Sequence, residues 1–337
     1  MKNKFNSGII VLVCLVLIVT GVSLFNYVKP ARNNQPRVHI NYYSTDDSSK
    51  TKSDSSKLYK KQFIAALYIE GTIQEENNQY DQQWLLSTIK SLKENDDNTA
   101  LAIFINSPGG AVYQADEVYA ALQDYKTTGK KIYVYQGSMA ASGGYYISCA
   151  ANQIFANRNT LTGSIGVIMG SSFDLTELFD NLGIKSETIH SGKNKNMMNY
   201  NEPFTDEQKE IMQSICDECY EQFVSIVANN RGMTYEKAAK LADGRVYTAR
   251  QALENGLIDR IDTWDGMIDA LSVAIDKPGI AVKTYKLQKK LSLMDRMMAK
   301  AKDYESAKAA AALGLPVNVI NQMNSNPFEP MYLVPSN

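Results

Sequence analysis

From Phe63 onward, short apolar runs of strand length alternate with amphipathic stretches of helix length, and that alternation restricts the chain to a layered α/β fold. Phe63 to Ile69 reads as a strand, Asp81 to Glu94 as an amphipathic helix, Ala100 to Asn106 as a buried strand and Tyr113 to Tyr125 as a helix. Ile132 to Gln136 is the next strand, followed by a turn of small residues and a helix through Cys149. Strands separated by helices pair in parallel through right-handed crossovers, so a mainly parallel sheet with flanking helices is expected. Active residues of such sheets lie past the carboxyl ends of the strands.

Two of those ends carry unusual residues. One is Asn106-Ser107-Pro108-Gly109-Gly110; the other is the run Gly137-Ser138-Met139-Ala140-Ala141-Ser142-Gly143-Gly144-Tyr145-Tyr146. Small neighbours leave the Ser142 hydroxyl uncrowded, and a helix starting after it aims N–H groups at any oxyanion formed there. A strand-to-helix turn favours the same small residues without any chemistry. Gly110 lets the backbone approach a ligand closely, which suits a second oxyanion donor beside Gly143; Pro-Gly-Gly is also an ordinary turn sequence.

The base that would activate Ser142 is constrained by composition. The chain has 35 basic and 36 acidic residues but only two histidines, His39 and His190. His39 falls in a polar stretch, so a Ser-His-Asp triad could draw only on His190, and lysine is the obvious substitute. A net charge of −1 leaves no basic excess for a nucleic-acid surface. Four cysteines are too few for a disulfide scaffold. Cys216 and Cys219 have zinc-like spacing but lie in a helical pattern from Asp206 to Val227 with no second ligand pair, and read as helix-packing residues.

Gly8 through Val28 carries no charge and is long enough to cross about 30 Å of hydrocarbon as one helix. No small-x-small cleavage site follows it, so residues 1–28 read as an uncleaved anchor. Lysines and arginines flank the span on both sides and leave its orientation open. Residues 29–61 form a polar linker, 62–315 one large domain, and 316–337 an irregular tail ending Met331-Tyr332-Leu333-Val334-Pro335-Ser336-Asn337. An apolar tail of this kind could occupy a groove, its own or a neighbour's, or be disordered.

Five ordered motifs resemble the signal peptide peptidase A family, membrane-anchored Ser-Lys serine proteases with a crotonase-like or Clp-protease-like fold. They are Ser107 to Gly110, Met139 to Tyr146, Thr162-Gly163-Ser164-Ile165-Gly166-Val167, Ser191-Gly192-Lys193-Asn194-Lys195, and Asp243 to Tyr247 with Ala252 to Asp259. The resemblance implies Ser142 as nucleophile and Lys195, the third residue after Gly192, as general base in preference to Lys193. The family often has a small acidic residue after this lysine, where Asn196 stands here. Gly143 and Gly110 are implied as oxyanion donors and Ser164 as the hydroxyl that orients the lysine. An ordinary lysine titrates near about 10.4, so such a base has to be desolvated, with no carboxylate beside it. Ile165, Val167 and Ile168 are expected to supply apolar surroundings.

By the same resemblance the substrates are remnant signal peptides and other extended peptides, the domain lies outside the cytoplasm, and several protomers form a ring. No metal or organic cofactor is called for. A Clp-like peptidase using His190, a crotonase-type enzyme acting on acyl thioesters, and a silent peptide-binding scaffold are the competing readings.

Overall fold

The structure is a computed structural model and describes residues 38–42, 61–169, 174–287, 308 and 331–333. All belong to the compact unit Pro36–Asn337. The expected span at residues 8–28 lies outside the described residues, and among those described no helix is long and apolar enough to cross a membrane.

In chain order the elements begin β1 (Val38–Tyr42), β2 (Phe63–Glu70), α1 (Gln82–Glu94), β3 (Asn98–Ser107), β4 (Gly109–Ala111), α2 (Val112–Lys126), β5 (Lys131–Ala141), α3 (Gly143–Ser148), β6 (Gln153–Ala156) and β7 (Leu161–Gly163). They continue as α4 (Thr176–Asn181), α5 (Asp206–Arg231), α6 (Tyr235–Leu241), β8 (Val246–Thr248), α7 (Ala249–Asn255), β9 (Arg260–Ile261), α8 (Trp264–Ala274), β10 (Ala281–Tyr285) and β11 (Met331–Leu333). A nine-stranded sheet runs β1-β10-β2-β3-β5-β6-β9, with β7 against β5 and β8 against β7. From β10 to β9 every pairing is parallel. Only β1 and β8 join it antiparallel.

Strand periodicity explains why both faces are covered. Phe63, Ala65, Leu67 and Ile69 of β2 pack in one core with Leu85, Ile89 and Leu92 of α1 and Val118 and Leu122 of α2. Ile64 and Ala66 point the other way, into a second core with Tyr133, Phe155 and Met267, Ile268 and Leu271 of α8. Each fully buried leucine or isoleucine contributes about 2 kcal/mol of apolar burial.

Two segments depart from the sequence-based expectation. Residues 38–42, placed in the polar linker, form edge strand β1, with Val38 opposite Tyr285 and Tyr42 opposite Ala281. Their partner lies far along the chain, and no local signal marks such a pairing. The strand expected to stop at Gln136 runs on to Ala141. Gly137 makes this possible: a Cβ there would meet the Phe104 ring at 2.9 Å, so only glycine lets β5 pass so close to β3.

The two halves of β5 have different neighbours. Its first half pairs with β6, from Tyr133↔Gln153 to Gln136↔Ala156, and its last three residues pair with β7, ending at Ala141↔Gly163. On the other edge the β3 register shifts between Ile105 and Ser107. Asn106 spans the irregularity, its Oδ1 accepting from Ser138 Oγ at 2.7 Å and from Met139 N at 3.2 Å. The strand thereby runs on between the end of β3 and β7, and Ser142 is the next residue.

Candidate active site

Ser142 occupies the position between β5 and α3 with φ 54° and ψ −118°, a conformation that non-glycine residues rarely adopt. Its N–H donates to Gly163 O at 2.7 Å and its C=O accepts from Tyr146 N at 2.8 Å, so neighbours on both sides hold the strained turn. Among the described residues only four non-glycine residues have positive φ, and Ser164, at 49°, is another of them. Such strain costs about 1–3 kcal/mol per residue and collects where a side chain must be aimed. Ser142 is 1% exposed and Ser164 7%.

Gly143 and Gly144 open α3 and are both buried. A Cβ at Gly144 would stand 3.1 Å from Ser107 O, so the glycine lets α3 seat against the end of β3. Beside α3, β4 uses one edge on Ile73: Ile73 N donates to Gly109 O at 2.8 Å and Ala111 N donates to Ile73 O at 2.9 Å. Strand alternation turns the N–H and C=O of Gly110 to the opposite edge. That edge pairs antiparallel with β11, Tyr332 lying opposite Gly110 and Leu333 opposite Gly109. Gly110 thus presents its main chain to an extended segment. Ile73 carried no sequence signal for this supporting role, because the bridge to Gly110 is wholly tertiary.

Ser142 is bonded through its N–H to Gly163, the residue before Ser164, and α3, which Gly143 opens, packs against β4, the strand of Gly110; Ser164 is fixed by its N–H bond to Arg245 O at 2.8 Å. Beside Ser164 lies a cavity of about 530 Å³, lined also by Gly166, Val167, Ile168, Asp217, Tyr220, Ala242, Asp243 and Gly244. Val167 and Ile168 form an apolar part of this wall, but Lys195, which they were expected to surround, is not among the lining residues, and Ile165 is fully buried in the core. The wall also carries two carboxylates. That of Asp243 accepts from Arg245 Nε at 2.7 and 2.8 Å, and that of Asp217 accepts from Gln213 Nε2 at 2.7 Å.

Lys195 is not hydrogen-bonded to this group. It is exposed, in the loop around residues 191–200, and among the described residues its ammonium has no hydrogen-bond or ion-pair partner. Lys193 is engaged: its ammonium pairs with Glu207 of α5, to which Asn194 Nδ2 also donates at 3.2 Å. The Lys193 hydrogen bond holds the Glu207 carboxyl below the usual range. That pairing occupies the Lys193 ammonium and holds it against α5. His190 is exposed in the same loop, its Nδ1 3.2 Å from Gly192 O, with no bond to Ser142. Cys216 and Cys219 are half-buried on α5, and burial pushes both thiols up, which favours the protonated form.

Residues 124–277 match the family model described as Peptidase family S49. A protein of Enterococcus faecium named as a signal peptide peptidase SppA is 32% identical over 273 residues, which cover 78% of this chain and 77% of the relative. Protease 4 of Haemophilus influenzae is 28% identical over 274 residues, 76% of this chain and 43% of its own. A ClpP1 mutant from Listeria monocytogenes superposes with a TM-score of 0.42 at 21% identity, over 63% of this chain and 98% of that one. The match to the Enterococcus relative takes in most of both chains and spans the strained serine, its glycine neighbours and the lysine loop: the chain belongs to peptidase family S49 and is a serine protease.

Proposed function

We propose that the chain is a membrane-anchored endopeptidase that hydrolyses remnant signal peptides and other extended peptides with a Ser142–Lys195 dyad. The observation that carries this reading is the convergence of a strained, buried serine with the Gly110 edge, which takes up an extended segment. Lys195 removes the Ser142 proton as Oγ bonds to the scissile carbonyl carbon, and the carbonyl electrons move onto oxygen. The N–H groups of Gly143 and Gly110 hold that oxyanion. As it collapses the C–N bond breaks, the lysine returns its proton to the leaving amine, and water activated by the same lysine hydrolyses the acyl-enzyme.

Lys195 is exposed in one chain, so desolvation has to come from bound peptide or from a neighbouring protomer of a ring. Leu182, Ile184 and Ile189, exposed at 52%, 44% and 95% on the approach to the lysine loop, support such a cover. Ser164 faces the cavity where an incoming ammonium would be held. Residues 8–28 anchor the chain, with the protease domain on the extracytoplasmic side. The names of the matched relatives support signal peptides as the substrate class.

β11 on the Gly110 edge supports a further part of the reading: the tail acts as a product-like occupant of the peptide groove. The decisive experiment measures turnover of an unstructured peptide by wild type, Ser142→Ala, Lys195→Ala and Lys193→Ala, with circular dichroism as a check on fold. Losses of about 10⁴-fold are expected in the first two variants, and near-normal turnover in Lys193→Ala. Equal activity in all four proteins would refute the dyad.

A further inference from the structure

The two N–H groups read as oxyanion donors belong to different elements. Gly110 sits in β4, directly ahead of α2, and Gly143 opens α3. α3 is six residues long, too short to fix its own orientation through internal hydrogen bonds. Beyond the β3–β5 pairing that leads into both elements, the distance between the donors depends on what ties α3 to α2.

Tyr146 makes that tie. It is fully buried, and its hydroxyl donates to Asp116 Oδ1 of α2 at 2.6 Å. Gln222 of α5 braces the pair from outside, its Nε2 donating to Tyr146 Oη at 2.7 Å and to Asp116 Oδ1 at 3.1 Å. The Tyr146 ring lies edge-on to Tyr119 of α2 at 5.5 Å and tilted against Phe223 of α5 at 5.0 Å. Its N–H, meanwhile, donates to Ser142 O. One residue therefore closes the turn over the nucleophile and fastens the nucleophile's helix to the element that follows the other donor.

We propose that Tyr146 and Asp116, braced by Gln222, are positioning residues that set the spacing of the Gly110 and Gly143 N–H groups. This rests on the reading of both glycines as oxyanion donors. Donor spacing matters only once negative charge develops on the carbonyl oxygen, so loosening it lowers kcat and leaves KM in place. A general loss of packing has no such selectivity.

Tyr145 is the matched comparison. It too is fully buried on α3, but its hydroxyl donates to Leu257 O at 2.8 Å, away from α2. The experiment measures kcat, KM and thermal stability for Tyr146→Phe, Tyr145→Phe, Asp116→Ala and Asp116→Asn, with inhibition by a peptide aldehyde whose hemiacetal reports oxyanion binding. Tyr146→Phe and Asp116→Ala are expected to lower kcat about 10-fold at unchanged KM and to weaken the aldehyde equally. Asp116→Asn, which keeps an acceptor oxygen, recovers most of the rate, and Tyr145→Phe loses stability without the kcat effect.

Equal kcat losses in the two tyrosine variants, or a rise in KM alone, would overturn the proposal. If Tyr146→Phe fails to fold, the Asp116 pair gives the same decision. Wild-type turnover by Ser142→Ala would sink the reading of the site and this proposal with it. A normal Tyr146→Phe beside an inactive Ser142→Ala sinks this proposal alone.

Discussion

Gly110 has no room for any side chain: a Cβ there would lie 1.8 Å from Ile73 O and 2.7 Å from Ile73 N, both main-chain atoms that cannot step aside. Gly110→Ala is expected to displace β4 from its Ile73 support, lowering kcat/KM about 100-fold and stability by about 2 kcal/mol. Peptide hydrolysis and urea unfolding measure the two effects, and wild-type values in both would show that the site tolerates a displaced β4. The sequence made Gly110 legible as a site of close approach, whereas the hydroxyl of Ser142, expected to be uncrowded among small neighbours, is buried. It left the choice between Lys193 and Lys195 to a family resemblance. The structure adds only that Lys193 is engaged by Glu207, which sits on a helix that no local pattern links to the loop.

At the scale of elements, what was legible had a period. β2, β3, α1 and α2 appear within two residues of their expected limits because their apolar spacing matches their buried faces. The run from Gly137 to Ala141 has little strand propensity, and it is Asn106 and the β7 pairing that hold it extended. α5 begins with a capping box in which Thr205 Oγ1 accepts from Gln208 N at 3.3 Å and Gln208 Oε1 accepts from Thr205 N at 3.2 Å. Thr205→Ala should cost about 1 kcal/mol in thermal or urea unfolding. Because Glu207 lies in that first turn, it should also loosen the lysine loop and raise amide exchange there; unchanged exchange would mean that the loop is held by other contacts. β11 calls for a separate measurement. Deletion of residues 331–337 is expected to raise kcat/KM for short peptides about 10-fold by removing a tethered competitor, and unchanged rates would rule out a tail that competes with substrate.

For the molecule as a whole, the end of α5 is joined to the β9 side of the sheet by an ion pair whose arginine is buried and whose aspartate is partly exposed. Arg231 donates from Nη2 to Asp259 Oδ1 at 2.7 Å and from Nη1 to Oδ2 at 3.0 Å, with its side chain only 7% exposed. Asp259 Oδ2 also accepts from Ile154 N at 2.7 Å. Asp259→Ala strands the guanidinium and should cost about 3 kcal/mol in urea unfolding, well above the effect at an exposed pair such as Lys209–Asp206. The proposed anchor is tested by comparing full-length protein with a variant lacking residues 8–28: the full chain is expected in the membrane fraction and the variant in the soluble fraction, and the same distribution for both would refute it. The Gly110 edge also carries a consequence for what the protease spares. If substrates pair on that edge as proposed, they must supply a stretch of polypeptide with its own amides unoccupied, which a folded protein offers only at exposed sheet edges. On that reading the first filter on substrates is their conformational state, ahead of any preference for particular side chains, and most of an intact neighbour is protected by its own secondary structure.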